Sequence, residues 1–132
     1  MSNSRQSLGR WGESVAVRYL ESQGYHIQER NARTPYGEID IVALQPEVIS
    51  QISVDPTSIA VFVEVKTRSS TTFGFPEESI NVRKQAHMLA AAESYIQENP
   101  DLGNDWRIDV IAIQCQGTRK KHSLEHFENV LT

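Results

Sequence analysis

Tyr36-Gly37-Glu38-Ile39-Asp40-Ile41-Val42 and Ala60-Val61-Phe62-Val63-Glu64-Val65-Lys66-Thr67-Arg68 are the two runs on which the reading of this chain turns. Both are rich in β-branched residues, as strands are. In the second, Val61, Val63 and Val65 point to one side while Ala60, Phe62, Glu64 and Lys66 point to the other. Glu64 and Lys66 therefore project side by side from one face. Asp40 stands in an otherwise apolar strand, where a carboxylate is costly unless it is paired or bound to a metal. If the strands are antiparallel neighbours, Asp40 and Glu64 can converge on one cation with Lys66 beside them.

Upstream, Leu8, Trp11, Val15, Ala16, Tyr19 and Leu20 recur at spacings of three and four, which predicts a helix from Ser7 to Gln23. Ser4 or Ser7 is its candidate cap, and Gly24 suits the position just past its end. Gly9 and Gly12 each weaken a helix by about 1 kcal/mol relative to Ala, so they are expected where another backbone comes close. Glu13 lies at the edge of the apolar stripe. It is either a solvated helix glutamate or a further acid leaning toward the carboxylate pair. Tyr25 to Asn31 reads as a first strand with Tyr25 and Ile27 inward, and Arg33-Thr34-Pro35-Tyr36-Gly37 reads as a turn.

Downstream of Asp40, residues Gln45 to Ser58 contain Pro46 and Pro56 and read as a long loop. After Lys66, the stretch Ser69 to Pro76 is polar with two aromatics, Phe73 and Phe75. A second helix is expected from Asn81 to Glu98, capped by Asn81, with Val82, Ala86, Leu89 and Ile96 on its apolar face. Asn99-Pro100-Asp101-Leu102-Gly103-Asn104 stops it. Trp106 to Cys115 reads as a fourth strand, with Arg107 and Asp109 on the face of Ile111 and Ile113. The basic run Thr118-Arg119-Lys120-Lys121-His122 and the apolar positions Leu124, Phe127 and Val130 read as a tail. His122 and His126 have the i, i+4 spacing of a zinc-binding helical pair, without the glutamate arrangement of a metalloprotease.

The order α-β-β-β-α-β predicts an α/β fold, a mixed central sheet flanked by helices. The 132 residues fit one domain, residues 1–132. An apolar fraction of 39% and a charged fraction of 23% are those of an ordinary soluble globular protein. A net charge of −4 argues against bulk nucleic-acid coating, although a local basic patch can still bind phosphate. Cys115 is the one cysteine, which excludes an intramolecular disulfide and a cysteine-based zinc site. No apolar run reaches transmembrane length and the N-terminus is polar, so the expected location is the cytoplasm, with no membrane partner.

Phosphodiester hydrolysis needs a hard cation to polarise the phosphoryl oxygen and lower the pKa of a water. Magnesium is commonly held by one or two carboxylates, its other positions taken by water and phosphate. Asp40 and Glu64 supply the carboxylates, the carbonyl of Val65 is a candidate third ligand, and Lys66 can orient the attacking water or stabilise developing charge. An isolated Glu-x-Lys is common by chance. The pattern gains weight because Asp40 also sits in an apolar strand, after a turn. Arg33, Arg68, Arg83 and Lys84 flank these runs as candidate phosphate contacts.

Gly9-Arg10-Trp11-Gly12-Glu13, Arg30-Asn31, Gly37-Glu38-Ile39-Asp40-Ile41-Val42, Phe62-Val63-Glu64-Val65-Lys66-Thr67-Arg68, Phe73-Gly74 and Arg107-Ile108-Asp109-Val110 together resemble the YraN-like family of bacterial proteins over essentially the whole chain. That family is similar to archaeal Holliday-junction resolvases and to the restriction-endonuclease-like PD-(D/E)xK nucleases. The resemblance implies a restriction-endonuclease-like core and the nuclease motif Asp40, Glu64 and Lys66, with Glu13 as the helical acid that several resolvases add. Its Pro-Asp element is loose: Pro35 precedes Asp40 by five residues. The Gln45 to Ser58 loop is longer than the family's usual connection.

The expectation is an endonuclease dependent on Mg2+ or Mn2+ and acting on DNA, branched DNA included. A homodimer would suit symmetric cutting of two strands. One rival is a non-catalytic nucleic-acid-binding module that keeps the fold. Another is a scaffold that contacts proteins through Phe73, Phe75 and Trp106.

Overall fold

The computed structural model describes residues 4–45, 59–69, 82–103, 105–116 and 118–131. Most of the long loop after Gln45, the aromatic pair Phe73 and Phe75, and the expected cap Asn81 lie outside the described residues. The elements are α1 (Ser4–Ser22), β1 (His26–Thr34), β2 (Gly37–Leu44), β3 (Ala60–Arg68), α2 (Val82–Glu98), a short 3-10 turn (Pro100–Leu102), β4 (Trp106–Gln116) and β5 (Thr118–Phe127). The expected α-β-β-β-α-β order is present, with a fifth strand where the sequence read as a tail.

The strands form one sheet in the order β1-β2-β3-β4-β5. Only β3 and β4 run parallel, and α2 makes the crossover between them; the other pairs are antiparallel. A parallel pair needs such a crossover, whereas β1 and β2 need only the tight turn at Pro35-Tyr36. Thr34 holds that turn: its hydroxyl donates to the Gly37 carbonyl at 2.7 Å and accepts from the Tyr36 N–H at 3.1 Å.

The helices cover opposite faces. Val15, Ala16 and Leu20 of α1 pack on Ile41, Ala43, Val61, Val63, Ile111 and Ile113. Ala91, Ala92 and Tyr95 of α2 pack on Val42, Ala60, Phe62 and Ile108. β3 is thus buried on both faces by strict alternation, which explains its near-continuous apolar run. The buried stripe of α2 is Ala91, Ala92 and Tyr95, with the partly buried Met88, Leu89 and Ile96 at its margins. This corrects the expected face: Val82 and Ala86 in the first turns are exposed. Two small alanines let the helix sit close to the sheet, and the large residues flank that contact.

α1 ends as its sequence suggests. Gly24 has φ 90°, its N–H bonds the Glu21 carbonyl at 3.0 Å, and the Tyr25 N–H reaches back to Leu20 at 2.9 Å. This paired closure needs a left-handed residue, hence glycine. The helix begins at Ser4, so Ser7 lies inside it and does not cap it. Cys115 is buried in β4. Trp106 packs its ring edge-on against Phe62 at 5.7 Å, so it belongs to the core margin and is not a free contact surface. Among the described residues no helix is long and apolar enough to cross a membrane.

A candidate hydrolytic site at a strand fork

The β2–β3 ladder runs Leu44–Ala60, Ala43–Val61, Val42–Phe62, Ile41–Val63 and its recorded pairing stops there, although both strands continue. β2 turns away at Asp40. Ile41 buries under α1, while Ile39, two residues earlier, buries under α2. Beside this break, Asn31 of β1 takes the left-handed φ of 52°, which an Asn tolerates better than most residues. The strands therefore form a fork with Asp40 and Glu64 in its crotch.

The Val65 N–H would have bonded to β2. Instead it donates to Oδ2 of Asp40 at 2.9 Å. A residue's N–H and C=O leave a strand on the same side, so the Val65 carbonyl also faces this gap. Lys66 Nζ lies 3.5 Å from Oε1 of Glu64, and Lys84 Nζ from α2 lies 2.9 Å from the same oxygen. Glu64 thus has two cationic neighbours, and Asp40 has a backbone N–H.

The electrostatics follow. Burial pushes the Asp40 carboxyl up to about 7, and the Glu64 carboxylate beside it pushes the same way, only partly offset by the Val65 N–H. Burial lowers Lys66, and the hydrogen bond with Lys84 lowers it further. Burial also acts to lower Lys84, but its bonds to Lys66 and Glu64 outweigh that and hold it above its ordinary value. Both lysines stand on Glu64, so Asp40 is the member of the pair left short of positive charge. Two carboxylates and a carbonyl around one gap fit a magnesium-type ion, which keeps most of its shell as water and phosphate. Among the described residues no set of three or more His, Cys, Asp or Glu side chains forms a metal cage, so the fit rests on that smaller donor set.

Glu13 lines the same cavity as Asp40, Glu64, Lys66 and Arg68, a space of about 630 Å3 on the α1 side. Burial raises its carboxyl, while a hydrogen bond from Asn31 and the Arg30 charge act against that. Glu13 is therefore neither a free surface acid nor joined directly to the pair. Its closeness depends on Gly12, since a methyl group there would fall inside the Thr67 side chain of β3. The close approach expected of both glycines holds for Gly12 alone, and it is to a side chain; Gly9 has open space around it.

Gly12→Ala is accordingly expected to destabilise the fold by about 1–2 kcal/mol, overpacking of about 1–3 kcal/mol outweighing the helix propensity gained. Thr67→Ala should recover part of that loss. Denaturant melts of the two single variants and the double variant measure it, and a Gly12→Ala protein as stable as the parent would contradict the packing argument.

Of the candidate phosphate contacts, Arg68 lines the α1-side cavity and Arg83 a second one on the α2 side. Lys84 joins the site itself. Its sequence position beside Arg83 at a helix start signalled a basic residue, but not that α2 points it at Glu64. Arg33 is exposed on β1 and lines neither cavity. The His122–His126 zinc pair is corrected: both residues lie in β5, where four residues span roughly 13 Å. His126 bonds Asp109 and Tyr19, and His122 packs edge-on against Trp11. The sequence places Asn31 in the first strand and in the family pattern without a role at the site; its bond to Glu13 depends on a backbone conformation that no periodicity reveals.

Comparison with known proteins gives kinship without an activity. The model of the Uncharacterised protein family UPF0102 matches residues 12–113, a span that includes Glu13, Asp40, Glu64, Lys66 and Lys84. A UPF0102 protein of Syntrophotalea carbinolica is 41% identical over 127 residues, covering 96% of this chain and 93% of that one. One from Alkaliphilus oremlandii is 39% identical over 124 residues, covering 94% and 97%. Another, from Moorella thermoacetica, is 42% identical over 113 residues, covering 86% and 85%. Matched across most of its length by the family's model, and aligned nearly end to end with such relatives, this chain belongs to the uncharacterised protein family UPF0102.

Proposed function

We propose that the protein is a metal-dependent endonuclease that hydrolyses phosphodiester bonds in DNA. The observation that carries this reading is the convergence of Asp40, Glu64 and Lys66 at the fork, with Lys84 added from α2. Bound between the two carboxylates and the Val65 carbonyl, Mg2+ or Mn2+ would polarise a phosphoryl oxygen and acidify a water. The chain's own groups do the rest. Asp40 and Glu64 are fixed on two strands of a rigid sheet, so their spacing does not need to be organised on binding. Lys66, beside Glu64 at the fork, is suited to orienting the attacking water or stabilising developing charge. Lys84, held cationic, is suited to meeting the charge that develops on phosphorus. Arg68 extends the cationic lining along the α1-side cavity. Branched DNA and a two-fold dimer belong to this proposal as its finer parts, since paired cuts in two strands call for two sites.

The clamping of Glu64 by two lysines favours one other reading, a nucleic-acid-binding module whose lysines neutralise the carboxylates in place of a cation. Labelled single-stranded, duplex, flap and four-way-junction DNA incubated with Mg2+ or Mn2+, and again with chelator, separates the two. The endonuclease reading expects cutting that stops on chelation. Metal-independent binding that weakens steeply with salt, without cutting of any form, would reject it in favour of the module.

A further inference from the structure

The geometry points to the α2-side cavity as a pocket for one unstacked nucleobase, an inference that rests on the nuclease reading above. The cavity is about 550 Å3, within the roughly 300–1,000 Å3 of small-molecule sites. Its floor is apolar, made by Ile39, Phe62, Met88, Ala91 and Ile108. Tyr36 stands at its mouth, 55% exposed, on the tip of the β1–β2 hairpin. A lone exposed aromatic is ordinary. This one sits at the opening of an apolar cavity, and its backbone is fixed by the Thr34 hydroxyl. Arg83 and His87 of α2 line the same opening. An aromatic face, an apolar floor and a cationic rim match the π face and phosphate of a nucleotide.

Asp40 and Glu64 line both cavities. A phosphate drawn to a cation held by that pair would have its backbone continue past Lys66 and Arg68 on the α1 side. Its base would then enter the α2 side. Inside a continuous duplex that base is paired and stacked, and extruding it costs a few kcal/mol. The substrate class is therefore DNA with an unpaired nucleotide at the cut, such as a single strand, a flap or a branch point, in preference to continuous duplex.

Cutting in Mg2+ and binding by fluorescence anisotropy are compared for a single strand, a blunt duplex and that duplex bearing an unpaired flap. Wild type is expected to bind and cut the single strand and flap at least about 10-fold better than the duplex. Tyr36→Ala is expected to weaken single-strand binding by roughly 5- to 100-fold. Met88→Ala, altering the floor, should weaken it in the same direction. Duplex cut as fast as flap, with a ratio unmoved by Tyr36→Ala, would overturn the pocket and leave the endonuclease reading standing. No cutting of any of the three would overturn the endonuclease reading. In that case single-strand binding lost in Tyr36→Ala upholds the pocket, and single-strand binding unchanged in that variant overturns it too.

Discussion

Asp40→Asn is expected to lose at least about 100- to 1,000-fold of the metal-dependent cutting rate, the scale set by removing one electrostatic partner of a transition state, and at pH 8 to be more stable than the parent. The two effects share one cause. Asp40 is half-buried beside Glu64, and its carboxyl is pushed up to about 7 from an ordinary 3.8. Between pH 4 and pH 7 the folded protein holds a proton that the unfolded chain has released, so stability falls as pH rises through that window. Three pKa units correspond to a ceiling of about 4 kcal/mol, and water at the mouth of the fork reduces this to about 1–2 kcal/mol. An asparagine carries no charge to desolvate, and its oxygen can still accept the Val65 N–H. Melts at pH 5 and pH 8 without divalent metal should therefore differ more for wild type than for Asp40→Asn, with the variant melting about 3–8 °C higher at pH 8. Added Mn2+ should raise the wild-type midpoint and leave that of the variant unchanged, because a ligand stabilises only the state that binds it. A variant less stable than the parent at pH 8 would mean that Lys66 and Lys84 already compensate Asp40, and the argument for a cation there would fail.

Local instability at a site of this kind is what function demands of a fold otherwise built from consistent choices. That consistency also made most of the chain legible. The residues of β3 declared both its faces, since an alternating run with Val on one side and Ala, Phe, Glu and Lys on the other leaves one register. Asp40 stood out because nothing in an apolar strand accounts for a carboxylate. Gly24 and the Pro35-Tyr36 turn were readable because each depends on the local backbone alone.

What stayed hidden depends on how elements meet. Lys84 looked like any lysine on a helix start, since only the docking of α2 decides which cation reaches Glu64. The apolar face of α2 was misread because Val82 and Ala86 keep the helical period yet fall where that helix leaves the sheet. β5 was missed because a charged run fills its first half, a common protection for an edge strand. Its half-buried positions Leu124 and His126 are separated by an exposed residue, and one of the two is counted as polar by hydropathy.

The second large effect is expected of Asp109→Ala, a loss of about 3–5 kcal/mol in unfolding free energy, or roughly 10–20 °C in melting midpoint for a chain of this size. Asp109 is fully buried. Its Oδ1 accepts from Arg107 Nε at 3.0 Å and from the Asn129 N–H at 2.9 Å. Its Oδ2 lies 3.2 Å from Arg107 Nη2 and 2.8 Å from His126 Nε2. A carboxylate only accepts, so Nε2 carries the hydrogen, and Nδ1 on the other side of the ring lies 3.0 Å from the Tyr19 hydroxyl. Arg107 reaches on to Gln45 and Tyr25 at 2.9 and 2.8 Å. One carboxylate thereby joins α1, the start of β1, the end of β2, β4 and β5. Truncation removes the acceptor shared by Arg107, His126 and the Asn129 N–H. It leaves the largely buried Arg107 charge with only the exposed Glu128, at 3.7 Å, as a countercharge among the described residues, which is why the cost exceeds that of any single bond. Burial alone would raise the Asp109 carboxyl, but the bonds from His126, Arg107 and Asn129 hold it below its ordinary value. Its stabilisation is therefore complete above about pH 4 and is lost as pH falls through the lower folded value, so melts of variant and wild type should differ most near pH 7 and converge in acid. Asp109 lines neither cavity, yet it is paired with Val63, the residue before Glu64. Loss of cutting in this variant should thus track the unfolded fraction and return in full under conditions that restore the fold. A variant that melts with wild type at pH 7, or one that stays folded without cutting, would show that the network does something other than hold β4 in register behind the fork.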